Sequence, residues 1–233
     1  MQHHQSEVTK LTRARFGAQI AEALRSDILF GRVESGKRLS QIELCERFGT
    51  SRMPVRDALR QLTYEGFLID DGKGHAIVAP VTKEILEEIY LIAGMVCGLA
   101  ANRAATQIDR HELSELHVLH ERMCDAAVRA DMAEMSEANW LFHRRINQLA
   151  KSQRIMAVLR AHTSIMPRSF LDEFPEWAAP ANHEHAELLE AFARRDGAAA
   201  ENLMKDHIVK AGHDLIRQME AQHDRDAPSL SAS

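Results

Sequence analysis

Four residues in the second half of the chain have the types and spacing to hold a metal ion. Asn139 and His143 stand four apart in EANWLFHRRINQLA, so a helix there projects both from one face. His185 lies in NHEHAELLEAFARRD and His207 in AAAENLMKDHIVKAGHDL. If these stretches are antiparallel helices joined at residues 195–197, each histidine is about eleven residues from the turn, and the two come to similar heights. Three imidazoles converging inside a helical bundle suit Zn²⁺, Ni²⁺ or another borderline divalent ion. The bland alternative is satisfied core histidines or surface residues. The chain has 13 histidines, and spacing alone does not separate the two readings. A three-histidine site with open positions is also what a metal-dependent hydrolase uses to activate water. Such an enzyme needs a positioned acid or base. Glu184 and Glu187 flank His185, but any helix this acidic offers such neighbours.

A second constellation lies upstream, in SQIELCERFGTSRMPVRDALRQL at residues 40–62. Arg52, Arg56 and Arg60 recur every four residues on one helical face, while Val55, Ala58, Leu59 and Leu62 form an apolar stripe. One side suits a core. The other suits phosphates and guanine edges, the physical content of a helix-turn-helix. The competing reading is a solvated surface helix with ordinary arginines.

The elements that must carry these residues follow from local signals. Ile20, Leu24 and Ile28 mark an amphipathic helix that stops at Gly31. Ser40 with Glu43 makes a capping box for a short helix that Gly49 ends. Thr50 or Ser51 caps the arginine helix, Pro54 is tolerated in its first turn, and Gly66 ends it. FLIDDGKGHAIVAP then reads as two short strands around a Gly-Lys-Gly tip, with Lys73 and His75 near that tip. Three helices followed by a β-hairpin make a winged helix.

From Thr82 to about residue 222 the pattern is helical, with no convincing strand. The expected spans are 82–106, 109–129, 131–150, 152–170, 183–195 and 197–221, with Asp109, Asp131 and Asp196 as caps and a break at 172–182. The fold class is therefore mainly α: a winged helix-turn-helix with a small β-hairpin wing at 1–80, then an all-α bundle of about six helices at 81–222. The tail at 223–233 has no apolar periodicity and reads as disordered.

Composition agrees. The chain has 233 residues, 45% hydrophobic, which is enough for two compact domains. No apolar run is long enough to cross a bilayer, and the first fifteen residues have no signal-peptide core. Cys45, Cys97 and Cys124 are odd in number and too dispersed for a zinc knuckle, so buried thiols in a reducing cytoplasm are expected. The net charge of −5 is divided unevenly. Residues 1–80 carry +2 and residues 81–233 carry −7, so the basic excess lies in the winged helix.

The run from Ile28 to Val78 resembles the N-terminal domain of GntR-family bacterial transcription regulators. The SRMPVRDAL core, the approach at Gly31–Leu39 and the EGFL exit carry the resemblance. It implies that Arg52 and Arg56 contact DNA, with Ser51 and the wing near the backbone. LFHRRINQLAKSQRI and HEHAELLEAFARRDGAAAENLMKDHI are similar to the FCD effector module of the FadR subfamily. In that module a divalent metal is held by an Asp and a His four apart plus two later histidines. His143, His185 and His207 match, and Asn139 stands where Asp is usual, a neutral and weaker fourth ligand. Ala93 and Cys97 occupy positions where an Arg and a Glu are usual, which counts against a simple carboxylate effector. Arg103 and Arg168 are the remaining cationic candidates for an effector pocket. Six helices rather than seven resemble the shorter, VanR-like branch. The resemblance implies a cytoplasmic homodimer that binds palindromic half-sites and answers to a small molecule.

Overall fold

The computed structural model describes residues 2–72, 75–162 and 175–226. The chain divides into two compact units: residues 1–83 with 219–233, and residues 84–218.

In the first unit, α1 (Gln2–Leu29), α2 (Gln41–Arg47) and α3 (Arg52–Tyr64) are followed by the hairpin β2 (Leu68–Asp70) and β3 (Ala76–Val78). A third strand, β1 (Arg38–Leu39), was not expected from the sequence. It pairs antiparallel with β3, Arg38 opposite Ile77, and gives the sheet order β1-β3-β2. Two residues carry no detectable alternation, so only the long-range partner makes Arg38–Leu39 a strand.

Ser40 Oγ accepts the Glu43 N–H at 3.4 Å at the start of α2. Gly49 and Gly66 take φ of +59° and +85° after α2 and α3, a conformation that L side chains resist. Ser51 occupies the N-cap of α3 in extended backbone, but its side chain makes no capping bond, contrary to expectation. Pro54 sits in the first turn, where its missing N–H has no intrahelical partner to lose. The buried residues of α3 are Pro54, Val55, Ala58, Leu59 and Leu62; the helix packs on α1, whose Ile20, Leu24 and Ile28 are buried, and on β2, with Phe67 and Val78 buried as well.

Beneath this core lies a charge that periodicity did not reveal. Arg25 is 1% exposed and donates from Nη2 and Nε to Glu65 at 2.7 and 3.0 Å. The fork geometry satisfies both partners, which a buried ion pair requires. It ties α1 to the C-terminal end of α3.

The second unit contains six α-helices among the described residues: α4 (Lys83–Gln107), α5 (Arg110–Val128), α6 (Met132–Leu149), α7 (Gln153–His162), α8 (Ala178–Ala193) and α9 (Gly197–Asp226), of which α4 and α9 begin or end in the first unit. Asp109 forms a complete capping box with Glu112, and Asp131 and Asp196 accept the N–H groups of Glu134 and Ala199.

Two expected boundaries are corrected. The fourth helix is described over Gln153–His162, and the rest of its expected span lies outside the described residues. The fifth begins at Ala178 rather than 183: Pro175 opens a 3₁₀ turn, and Pro180 falls in the first helical turn, where proline costs no hydrogen bond. The last helix runs to Asp226, so residues 223–226 are helical rather than part of a disordered tail. Residues 227–233 lie outside the described residues.

Helices α4 and α9 run antiparallel at close range because glycines face the partner helix. A Cβ on Gly98 would lie 2.8 Å from the Glu201 carbonyl, and one on Gly212 only 2.3 Å from Tyr90 Cγ. Among the described residues no helix is long and apolar enough to cross a membrane.

Candidate metal centre and nucleic-acid interface

His143 on α6, His185 on α8 and His207 on α9 meet at one point. Their Nε2 atoms are 3.2, 3.2 and 3.3 Å apart. Metal–nitrogen bonds of about 2.1 Å set edges of about 3.0 Å for an octahedral face and about 3.4 Å for a tetrahedral one. The observed triangle falls between these values, so the donor set fits a divalent ion. The α8–α9 turn, where Arg195 takes φ of +54°, levels His185 with His207 as the spacing required. Helix α6 supplies the third ligand from elsewhere in the chain.

Glu184 fixes one of the rings. Its Oε2 accepts from His207 Nδ1 at 2.7 Å, so the His207 Nε2 lone pair faces the other two histidines. Lys210 holds the other carboxylate oxygen. Burial alone would raise the Glu184 pKa, but the bonds from His207 and Lys210 outweigh it and leave the carboxyl below its usual range. The acid that the sequence offered as a catalytic neighbour is thus bonded to a ligand ring. Glu187, its companion, lies 3.9 Å from His183.

Burial, and then the neighbouring His207, lowers the His143 pKa to about 3. Burial lowers His185 well below the usual imidazole value, with His207 and His143 adding to it. Neutral imidazoles are the form that ligates. The Phe142 ring packs 4.8 Å from His185 and the Trp177 ring 5.6 Å from His207, so the cluster has an apolar wall on two sides. Asn139, one turn before His143, has a buried Oδ1 with no hydrogen-bond partner among the described residues. A buried, orphaned carbonyl oxygen one helical turn from a ring of this cluster suits a cation.

Of the two arginines expected in an effector pocket, only Arg103 is among the described residues, and it is bonded away from this cluster. Arg103 is exposed and donates its Nε to the Ala150 carbonyl at the end of α6, seven residues beyond His143. Arg168 lies outside the described residues. Ala93 and Cys97 are both buried in α4, and burial pushes the Cys97 thiol up to about 12. Cys45 and Cys124 are half-buried free thiols rather than the fully buried ones expected.

In the first unit Ser51, Arg52, Arg56 and Arg60 are all exposed on α3, opposite its buried stripe. Arg56 and Arg60 line an open cleft of about 790 Å³ together with Arg38, Ser40, Asp70 and His75. His75 is held at the base of the wing by Asp71, Nδ1 to Oδ2 at 2.9 Å. Lys73 lies outside the described residues. Sequence reasoning missed Arg38 and Asp71. Their only signal would have been the pairing of β1 with β3, which is not local.

Comparison with known proteins decides the family. Residues 16–77 match the sequence model of bacterial regulatory proteins of the gntR family, and residues 88–210, over half of the chain, match the FCD domain. The chain belongs to the GntR family and carries an FCD domain. A "Probable D-xylose utilization operon transcriptional repressor" of Paenarthrobacter nicotinovorans is 25% identical over 211 residues, covering 86% of this chain and 88% of that protein. The "HTH-type transcriptional repressor RspR" of Escherichia coli is 25% identical over 209 residues, covering 88% and 90%. The solved structure of "E. coli McbR/YncC" superposes with a TM-score of 0.69 at 23% identity, over 87% of this chain and 98% of that one, and so supports the fold. This GntR-family chain is a ligand-responsive, DNA-binding transcription regulator and not an enzyme. The hydrolase alternative finds no support among its relatives.

Proposed function

We propose that the FCD unit of this regulator senses a small molecule at a divalent metal held by His143, His185 and His207, with Asn139 as a weak fourth ligand. The observation that carries this reading is the triangle of Nε2 atoms with edges of 3.2–3.3 Å. A bound Zn²⁺ or Ni²⁺ would supply a Lewis-acidic centre with positions open to an oxygen donor of the effector. The chain's own residues do the rest. Glu184 keeps the His207 tautomer, Phe142 and Trp177 exclude water, and Asn139 offers a neutral oxygen.

Two winged helices on palindromic half-sites would read the operator, with Arg52 and Arg56 at base edges and Ser51, Arg60, Lys73 and His75 near the backbone. The homodimer that this needs is supported by an exposed apolar stripe on α4. Leu91, Met95 and Leu99 repeat every four residues at 46–59% exposure, with Ile92 beside them. The named relatives are repressors, and we carry that sign over. Effector binding would change operator affinity only through its differential affinity for the two dimer states. We place the protein in the cytoplasm, where its DNA is.

Elemental analysis of full-length protein purified without an affinity tag tests the metal, with thermal melting before and after chelation. One divalent ion per chain, a melting temperature lowered by chelation and restored by Zn²⁺ or Ni²⁺, and tighter binding in Asn139→Asp are expected. No metal, and melting unaffected by added ion, would reduce the three histidines to polar lining.

A further inference from the structure

The wing is anchored by a carboxylate in a place where a DNA-binding surface should avoid one. Asp71 follows β2 directly and is only 13% exposed. Its Oδ2 accepts from Arg38 Nη2 at 3.0 Å and from His75 Nδ1 at 2.9 Å, and its Oδ1 accepts from the His75 backbone N–H at 3.1 Å. The Asp71 N–H returns a bond to the His75 carbonyl at 3.2 Å. Three segments converge on this side chain: β1 through Arg38, the end of β2 through its own backbone, and the start of β3 through His75. The two side chains that bond to it remain open to solvent, at 57% exposure for Arg38 and 43% for His75. Both line the same cleft as Arg56 and Arg60 of the recognition helix.

We propose that Arg38 is a further DNA-phosphate contact and that Asp71 is the residue that positions Arg38 and His75 toward the DNA. The geometry separates the two roles. Arg38 belongs neither to the helix-turn-helix nor to the hairpin tip, yet β1 pairing brings its guanidinium to the rim of the cleft that α3 lines. A guanidinium has five donors, so one bond to Asp71 leaves others for a phosphate. Asp71 is more buried than Arg38 and His75, so its charge faces their donors rather than the duplex. Accepting at Oδ2 from His75 Nδ1 also fixes the imidazole tautomer and turns Nε2 outward.

The sign of one substitution decides the matter. Removing an acid from a DNA-facing surface strengthens binding if charge alone counts. Asp71→Asn should instead weaken binding, because Arg38 and His75 lose their anchor. The probe is a duplex selected by the full-length chain from a random library, with an unrelated duplex of equal length beside it. Arg38→Ala should weaken both duplexes alike and lower the salt slope by about one unit per bound winged helix. Its penalty should then be about 3- to 4-fold larger at 50 mM than at 200 mM salt for one bound winged helix, and about 12-fold larger for two. Arg38→Lys should keep the slope. Arg38→Ala/Asp71→Asn should be no weaker than the worse single variant. The ¹⁵N shifts of His75 should report Nδ1–H in the parent and a tautomer mixture in Asp71→Asn. Binding by Asp71→Asn that equals or exceeds the parent overturns the positioning role. An unchanged salt slope in Arg38→Ala, an exposed variant expected to fold, overturns the phosphate contact and leaves the pair a structural staple.

Discussion

Glu184→Gln is the perturbation that most directly tests the metal centre. The wild-type carboxylate accepts from His207 Nδ1 at 2.7 Å and is held from its other oxygen by Lys210. A glutamine has one acceptor and one donor end. Lys210, an obligate donor, takes the acceptor end, which turns the amide NH₂ toward His207. His207 Nδ1 must then accept, its proton moves to Nε2, and that nitrogen can no longer ligate. Substitution of a carboxylate behind a ligating histidine generally costs 10- to 100-fold in metal affinity, about 1.4–2.7 kcal/mol. Here the reversed donor pattern argues for the upper end. Lys210→Ala should restore part of the loss in the Glu184→Gln background by freeing the amide to rotate. Competition against a chromogenic chelator, with Zn²⁺ and with Ni²⁺, reads the affinity. Far-ultraviolet circular dichroism checks the fold. Unchanged affinity in folded Glu184→Gln protein would refute the reasoning, since His207 would then not depend on Glu184 for its tautomer.

Three further outcomes are expected. Arg52→Ala and Arg56→Ala should each lose about 1–3 kcal/mol of operator affinity and relax base discrimination, measured by mobility shift against single-base operator variants. Gly212→Ala should destabilise the protein by about 1–3 kcal/mol despite the better helix propensity of alanine, because the added carbon would stand 2.3 Å from Cγ of a Tyr90 that is 3% exposed. Gly94→Ala, whose nearest atoms are 3.0 Å away, should cost less, both being measured by urea titration. Chelated protein should lose stability as pH falls. Burial and then His207 hold folded His143 at about 3, below its unfolded value near 6.5, so the unfolded state binds more protons in that window. The stability is intact above about pH 6.5 and drains away toward pH 3. A flat denaturation midpoint between pH 7 and 5 would contradict it.

Much of this protein is written in local pattern. The stripe of Val55, Ala58, Leu59 and Leu62 and the arginines at 52, 56 and 60 belong to one helix, so a period of 3.6 sorts them into a core face and an exposed cationic face without reference to anything distant. Asn139 and His143 share a face for the same reason. His185 and His207 are level because a tight turn at Arg195 makes sequence distance a measure of height. Caps at Asp109, Asp131 and Asp196 are read from single residues because the orphan N–H groups they satisfy are at most three positions away.

What only the tertiary structure decided involves partners with no sequence period between them. Strand β1 exists because β3 pairs with it, and that pairing carries Arg38 to the cleft and sets it on Asp71. Arg25 is an unremarkable residue in α1 until Glu65, 40 residues on, gives its guanidinium a reason to be buried. Helix α8 begins at Ala178 because the first helical turn tolerates Pro180, where residue propensity argued for a break. The closing of the histidine triangle needed α6 to bring His143 to His185 and His207 of the α8–α9 hairpin. Periodicity aims a side chain off its helix, but which helix it meets is set by how apolar faces pack across the bundle.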